Sequence, residues 1–185
     1  MVRPKGNLGL FKRRQTMNQS EIKRQESRPA SSPFLVLGVG NTLLSDEGVG
    51  VHVIEAMKKM NPLPDTELID GGTALVELLD ILANREKVIV IDAVKYDGKP
   101  GSIYRFTPEE VSVLKQSQVS VHQIGVLEAL KMAELAGWKP RQVIILGIEP
   151  KTVDWGLELS PEVARAIPIV IKLVIEELGK VKPGG

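Results

Sequence analysis

Four carboxylates and one imidazole hold most of the chemical potential of this sequence: Asp46, Glu47, Asp70, Asp92 and His122. Each stands where an apolar run gives way to a turn or a helix start. Asp46 and Glu47 follow Gly38-Val-Gly40-Asn41-Thr-Leu-Leu-Ser45. Asp70 precedes Gly71-Gly72, Asp92 closes Lys87-Val-Ile-Val-Ile, and His122 opens a helical stretch. Glu47, Asp92 and His122 together offer two oxygens and a nitrogen, a donor set that suits a divalent first-row metal such as nickel or zinc. Helix N-termini near Glu47 and His122 favour a carboxylate and disfavour a protonated imidazole, and neutral imidazole is the form that binds metal. The chain has no cysteine. This excludes disulfides, cysteine nucleophiles and thiolate ligands, and argues against a tightly held structural metal.

Each of these residues also has a plainer use. Ser45 and Asp46 fit the cap of a first helix, and Glu47 complements its dipole. Asp70 before two glycines is a natural turn former. His122 lies within a capping box formed by Ser120 and Gln123. Asp92 is the hardest to explain this way, because a carboxylate at the end of a buried strand faces the crevice where such sheets build their sites. His52 lies inside a helix beside its apolar face and reads as surface. Gly38 and Gly40 suggest a dinucleotide loop, but the third glycine is replaced by Leu43, which weakens a nucleotide-binding reading.

The elements that must position these residues follow from the apolar pattern. Residues 34–38 form a continuous apolar run ending at glycine, as a strand buried on both faces does. Val49, Val53, Ile54, Met57 and Met60 mark a helix over 47–60. A short strand over 66–69 comes next, then a helix marked by Leu75, Leu78, Leu79 and Leu82, then a strand over 87–92. A strand at 102–106 should run back along an edge. A helix starts near Val121 and stops at Gly137, and an apolar strand covers 142–146. Ser160-Pro161 starts a last helix that ends at Gly179, with Pro168 expected to kink or split it. The order β-α-β-α-β-β-α-β-α predicts one three-layer α/β/α domain over 33–185 with a mostly parallel sheet of about five strands. Such a sheet can bring the chemical residues to one edge.

The formal net charge is +1 over 185 residues, so nothing points to nucleic acid. No apolar run approaches the roughly 20 residues of a membrane span. The absence of cysteine fits a cytoplasmic address. Charge is concentrated in residues 1–32, where Arg3, Lys5, Lys12, Arg13, Arg14, Lys23, Arg24 and Arg28 face only Glu21 and Glu26. This stretch reads as a disordered or loosely attached extension, and it lacks the apolar core of a secretory signal.

GVGNTLLSDEGVG at 38–50 resembles the opening signature of the hydrogenase maturation proteases. The resemblance continues in Asp70-Gly-Gly-Thr73, Val90-Ile-Asp92-Ala93, Val121-His-Gln-Ile-Gly125 and Leu146-Gly-Ile-Glu-Pro150. Each motif is weak alone, but five in order are specific, and together they span about residues 34–178. The basic extension lies outside the pattern.

The resemblance implies an endopeptidase, grouped with the aspartic type, that removes the C-terminal extension of a [NiFe]-hydrogenase large-subunit precursor. It implies that Glu47, Asp92 and His122 bind metal, and that this metal is the nickel carried by the substrate. Asp46 and Asp70 are then candidates for activating the attacking water or for orienting its neighbours. No His-Glu-x-x-His or Ser–His–Asp arrangement contradicts this. A non-catalytic nickel-binding chaperone on the same fold is the rival expectation.

Overall fold

The computed structural model describes residues 32–73, 78–113 and 121–180, with side chains except at residues 78 and 121–123. Five strands form one sheet: β1 (Phe34–Val39), β2 (Thr66–Gly72), β3 (Lys87–Ala93), β4 (Ile103–Phe106) and β5 (Gln142–Ile148). Their spatial order is β2-β1-β3-β5-β4. The first three and β5 are parallel, and β4 runs antiparallel along the edge of β5, as its sequence predicts. The helices are α1 (Val49–Lys58), α2 (Leu78–Leu82), α3 (Pro108–Ser112), α4 (Val121–Leu135) and α5 (Pro161–Gly179).

Strand alternation sorts the core into two faces. Val36, Ile89, Ile91, Ile144 and Leu146 meet Val53, Ile54 and Met57 of α1 and Val163, Ala166 and Val170 of α5. Leu35, Leu37, Val88, Val90 and Ile145 meet Val126, Ala129 and Leu130 of α4, with Leu82 of α2 and Val111 of α3. This is the expected three-layer arrangement. All seven residues of β3 are buried; each of its large apolar side chains contributes about 1.5–3 kcal/mol on burial.

Glycine sets how closely α1 approaches the sheet. A Cβ on Gly38 would overlap the Gly50 backbone, and one on Gly50 would overlap the carbonyl oxygens of Ile91 and Val39. The start of α1 therefore rests backbone-to-backbone on the ends of β1 and β3. Gly38 thus serves helix packing, with no space at that point for a nucleotide phosphate.

Several local expectations change. Neither Ser45 nor Asp46 caps the first helix: residues Ser45–Gly48 form a separate 3₁₀ turn, and α1 begins at Val49 behind Gly48. The helix α3 was hidden in a short segment, although Thr107 and Glu110 form a complete capping box with Pro108 in the first turn. Pro168 does not split α5, which runs unbroken from Pro161 to Gly179. Val163 and Ala166 before the proline and Val170 and Val174 after it are all buried, and this packing on both sides outweighs one missing backbone hydrogen bond. Apart from Ser32, the basic extension lies outside the described residues, as do Leu75 and the Ser120 end of the capping box. Among the described residues no helix is long and apolar enough to cross a membrane.

Candidate active site at the carboxyl edge of the sheet

Asp92 continues the column Val88, Val90 on the face covered by α4. It is fully buried, lies opposite Gly147 of β5, and its Oδ1 accepts from the Ala93 amide at 2.8 Å. α4 runs against the parallel strands. Its last residues lead directly into β5, and Asn84 donates to the Trp138 carbonyl at 2.9 Å just before β3 begins. The first turn of α4 must then lie at the opposite, carboxyl edge, because 15 residues span about 22 Å. The backbone of His122 is in that first turn, on the same face and at the same edge as Asp92.

Glu47 reaches this edge from the other side. It is half-buried in the 3₁₀ turn, which packs against β3. The turn is held by its neighbours in sequence. Ser45 adopts a left-handed backbone, φ 50°, a conformation costing about 1 kcal/mol for a residue with a side chain. It is kept there by its amide, which donates to the Gly156 carbonyl at 2.8 Å, and by its Oγ, which donates to the Asp154 carbonyl at 2.9 Å.

Asp46 is the anchor of the whole rim. Its fully buried carboxylate accepts four hydrogen bonds: from the Ser160 amide at 2.7 Å, Ser160 Oγ at 2.8 Å, and the Lys151 and Thr152 amides at 2.9 and 3.1 Å. Ser160 is indeed the residue before α5, but its hydroxyl makes no cap bond to that helix; it is committed to Asp46. Asp70, by contrast, is exposed at the end of β2. Its Oδ1 accepts from the Gly72 amide at 2.9 Å, so the turn-forming use is real. Among the described residues no donor reaches its other oxygen. His52 on α1 has its Nδ1 3.8 Å from Glu55, and its Nε2 is buried without a hydrogen-bond partner.

A fifth carboxylate, present in the sequence within Leu146-Gly-Ile-Glu-Pro150, stands at this edge. Glu149, buried directly after β5, accepts at Oε2 from the Tyr96 amide at 2.9 Å, the Gly98 amide at 3.2 Å and the Tyr104 hydroxyl at 3.0 Å. It pins the connection that leaves Asp92 and returns as β4. A Cβ on Gly98 would overlap the Tyr104 hydroxyl, so any side chain here would have to displace it. Burial raises the Tyr104 pKa, and the hydrogen bond to Glu149 raises it further. Like Asp92, Glu149 closes a buried strand, but it stands three residues beyond the apolar run at 142–146 and is not marked out by it.

The sequence profile of the hydrogenase maturation proteases matches residues 51–177. The chain belongs to this family. It is 38% identical over 147 residues to the Hydrogenase 2 maturation protease of Escherichia coli K12, covering 78% of this chain and 90% of that one. It is 36% identical over 155 residues to the hydrogenase expression/formation protein HupD of Rhodobacter capsulatus, covering 81% and 74%. Among solved structures, the hydrogenase maturating endopeptidase HybD from E. coli superposes with a TM-score of 0.74 at 36% identity, covering 80% of this chain and 92% of that one.

The maturation protease thus divides its edge carboxylates by burial. Asp46 and Glu149 are enclosed, and each satisfies backbone amides of a rim segment. Glu47 and Asp70 retain access to solvent. The profile match includes Asp70, Asp92 and His122 and begins after Glu47.

Proposed function

We propose that this endopeptidase of hydrogenase maturation acts on a nickel-loaded [NiFe]-hydrogenase large-subunit precursor, from which it cleaves the C-terminal extension in the cytoplasm. Glu47, Asp92 and His122 would hold the substrate's nickel through two carboxylates and an imidazole. The observation that carries this reading is the shared position of Asp92 and the first turn of α4 at one edge and one face of the sheet, with the Glu47 turn packed against the same strand. The three donors come from three distant segments; Glu47 keeps solvent access, while Asp92 lies buried at the strand end.

Hydrolysis adds water across the scissile amide. A base takes the water proton, the hydroxyl attacks the carbonyl carbon, the C–N bond breaks, and the leaving amine is protonated. Asp70 is our candidate for that base, because its carboxylate is exposed and, among the described residues, has an oxygen without a donor. We assign Asp46 the orienting role, since four donors already occupy its two oxygens and solvent does not reach it.

The test is to incubate the purified chain with precursor in nickel-loaded and nickel-free forms and to read the released peptide by mass spectrometry. Cleavage is expected only with nickel. Equal cleavage of the nickel-free form would overturn the metal-recognition reading.

A further inference from the structure

Leu43, Trp155 and Leu157 are 50%, 83% and 65% exposed. Isolated surface leucines need no explanation, but three large apolar side chains on adjoining segments do. The segments are joined by backbone hydrogen bonds. The Gly156 amide donates to the Leu43 carbonyl at 3.0 Å, and the Gly156 carbonyl accepts from Ser45 at 2.8 Å. Asp46 fixes both segments from below through Lys151, Thr152 and Ser160. The apolar rim is therefore held in place before anything covers it. A pre-positioned backbone leaves only the side-chain rotamers to be ordered on binding, which lowers the entropy lost at the interface.

The rim is continuous with the site, since Leu43 and Glu47 belong to one short stretch of chain. A polypeptide bound at Glu47 therefore passes beside the rim, four residues away in the chain. A substrate covers such a surface only while it is being processed, which leaves it exposed in the free protein. We propose that Leu43, Trp155 and Leu157 form the docking surface for the body of the large-subunit precursor, receiving an apolar patch beside its C-terminal extension. The proposal rests on the function given above and adds the surface that selects the partner.

The experiment uses the full chain and a nickel-loaded large-subunit precursor, comparing wild type with Trp155→Ala, Leu157→Ser and Leu43→Ser. Leu135→Ser, at the far end of α4 and 90% exposed, controls for loss of any surface apolar group. Circular dichroism checks folding, and sedimentation reports self-association. Trp155→Ala should raise KM about tenfold, as loss of a central aromatic anchor does, with kcat within about twofold. Leu157→Ser should act in the same direction if Trp155→Ala proves poorly folded. Leu135→Ser should change neither constant. Unchanged KM in folded Trp155→Ala and Leu157→Ser, or a fall in kcat alone, overturns the docking surface. So does a wild-type dimer that Trp155→Ala converts to monomer without loss of processing. If wild type cleaves no nickel-loaded precursor, the functional reading fails and the docking surface with it. Normal wild-type turnover with unaffected variants sinks the docking surface alone.

Discussion

Asp46 and Ser160 lie 114 residues apart in the chain yet are joined twice, amide to Oδ1 at 2.7 Å and hydroxyl to Oδ2 at 2.8 Å. The turn carrying Glu47 is thereby tied to the start of α5. Asp46→Ala would strand the Ser160, Lys151 and Thr152 amides together. The Ser160 amide and hydroxyl are buried, the Lys151 and Thr152 amides only partly; a buried donor left without an acceptor costs about 1–3 kcal/mol, so a total loss of about 2 kcal/mol or more is expected in urea unfolding. Asp46→Asn keeps one acceptor oxygen and should lose roughly half as much. A loss below about 1 kcal/mol for the alanine variant would mean that water replaces the carboxylate.

Glu47→Gln, Asp92→Asn and His122→Ala test the shared metal reading. Each keeps or reduces side-chain volume, and each should abolish processing of the nickel-loaded precursor while the circular dichroism spectrum is retained. Residues that act as one unit lose function non-additively, so a double variant should be scarcely worse than the worse single one. Normal processing by any two folded single variants would falsify the shared site. His52→Ala should process normally, since the charged group it faces among the described residues is Glu55 on the same helix.

A buried ion cluster at the opposite edge of the sheet predicts the acid limit of stability. Lys87 donates to the Glu177 carboxylate at 2.9 Å, and Arg105 and Lys180 donate at 3.0 and 2.6 Å. Burial by itself would raise the Glu177 pKa. The hydrogen bonds from Lys180, Lys87 and Arg105 outweigh it and bring the value from 4.5 to about 2. A depressed carboxyl pKa stabilises the fold in full above the unfolded value, and that contribution disappears as pH falls through the folded value. The full contribution is about 3 kcal/mol, of which about 2 kcal/mol is lost by pH 3. The stability gap between wild type and Glu177→Gln should therefore narrow by that amount from pH 7 to pH 3. A constant gap would show that Glu177 titrates normally.

The connection between β3 and β4 should tolerate little change beneath it. Gly98→Ala forces the Tyr104 hydroxyl away from Glu149, and overpacking of this kind costs about 1–3 kcal/mol. Glu149→Ala removes the acceptor for the Tyr96 and Gly98 amides and should cost a similar amount, whereas Glu149→Gln keeps a carbonyl oxygen and should lose less. Thermal unfolding of the three variants gives the order; equal losses for the glutamine and alanine changes would contradict an acceptor role.

Much of this protein is determined by short-range pattern. The apolar runs at 34–38, 87–92 and 142–146 read as buried parallel strands because both sheet faces are covered, so no polar alternation interrupts them. Asp92 announces itself by ending such a run, whereas Glu149 stands three residues beyond the run at 142–146 and is not marked out by it; the order of elements predicts the three-layer fold whose carboxyl edge carries the candidate site. What the sequence left open is what each edge carboxylate does. Asp46 and Glu47 are adjacent and chemically alike. One became an enclosed anchor and the other kept solvent access because Lys151, Thr152 and Ser160, more than a hundred residues away, supply donors to the first. The same holds for Lys87, whose burial depends on Glu177 from the last helix. Local pattern sets which residues face inward, since that is a matter of strand and helix period. Only the tertiary structure decides which polar groups find partners, because the partners come from segments that meet only after the chain has folded.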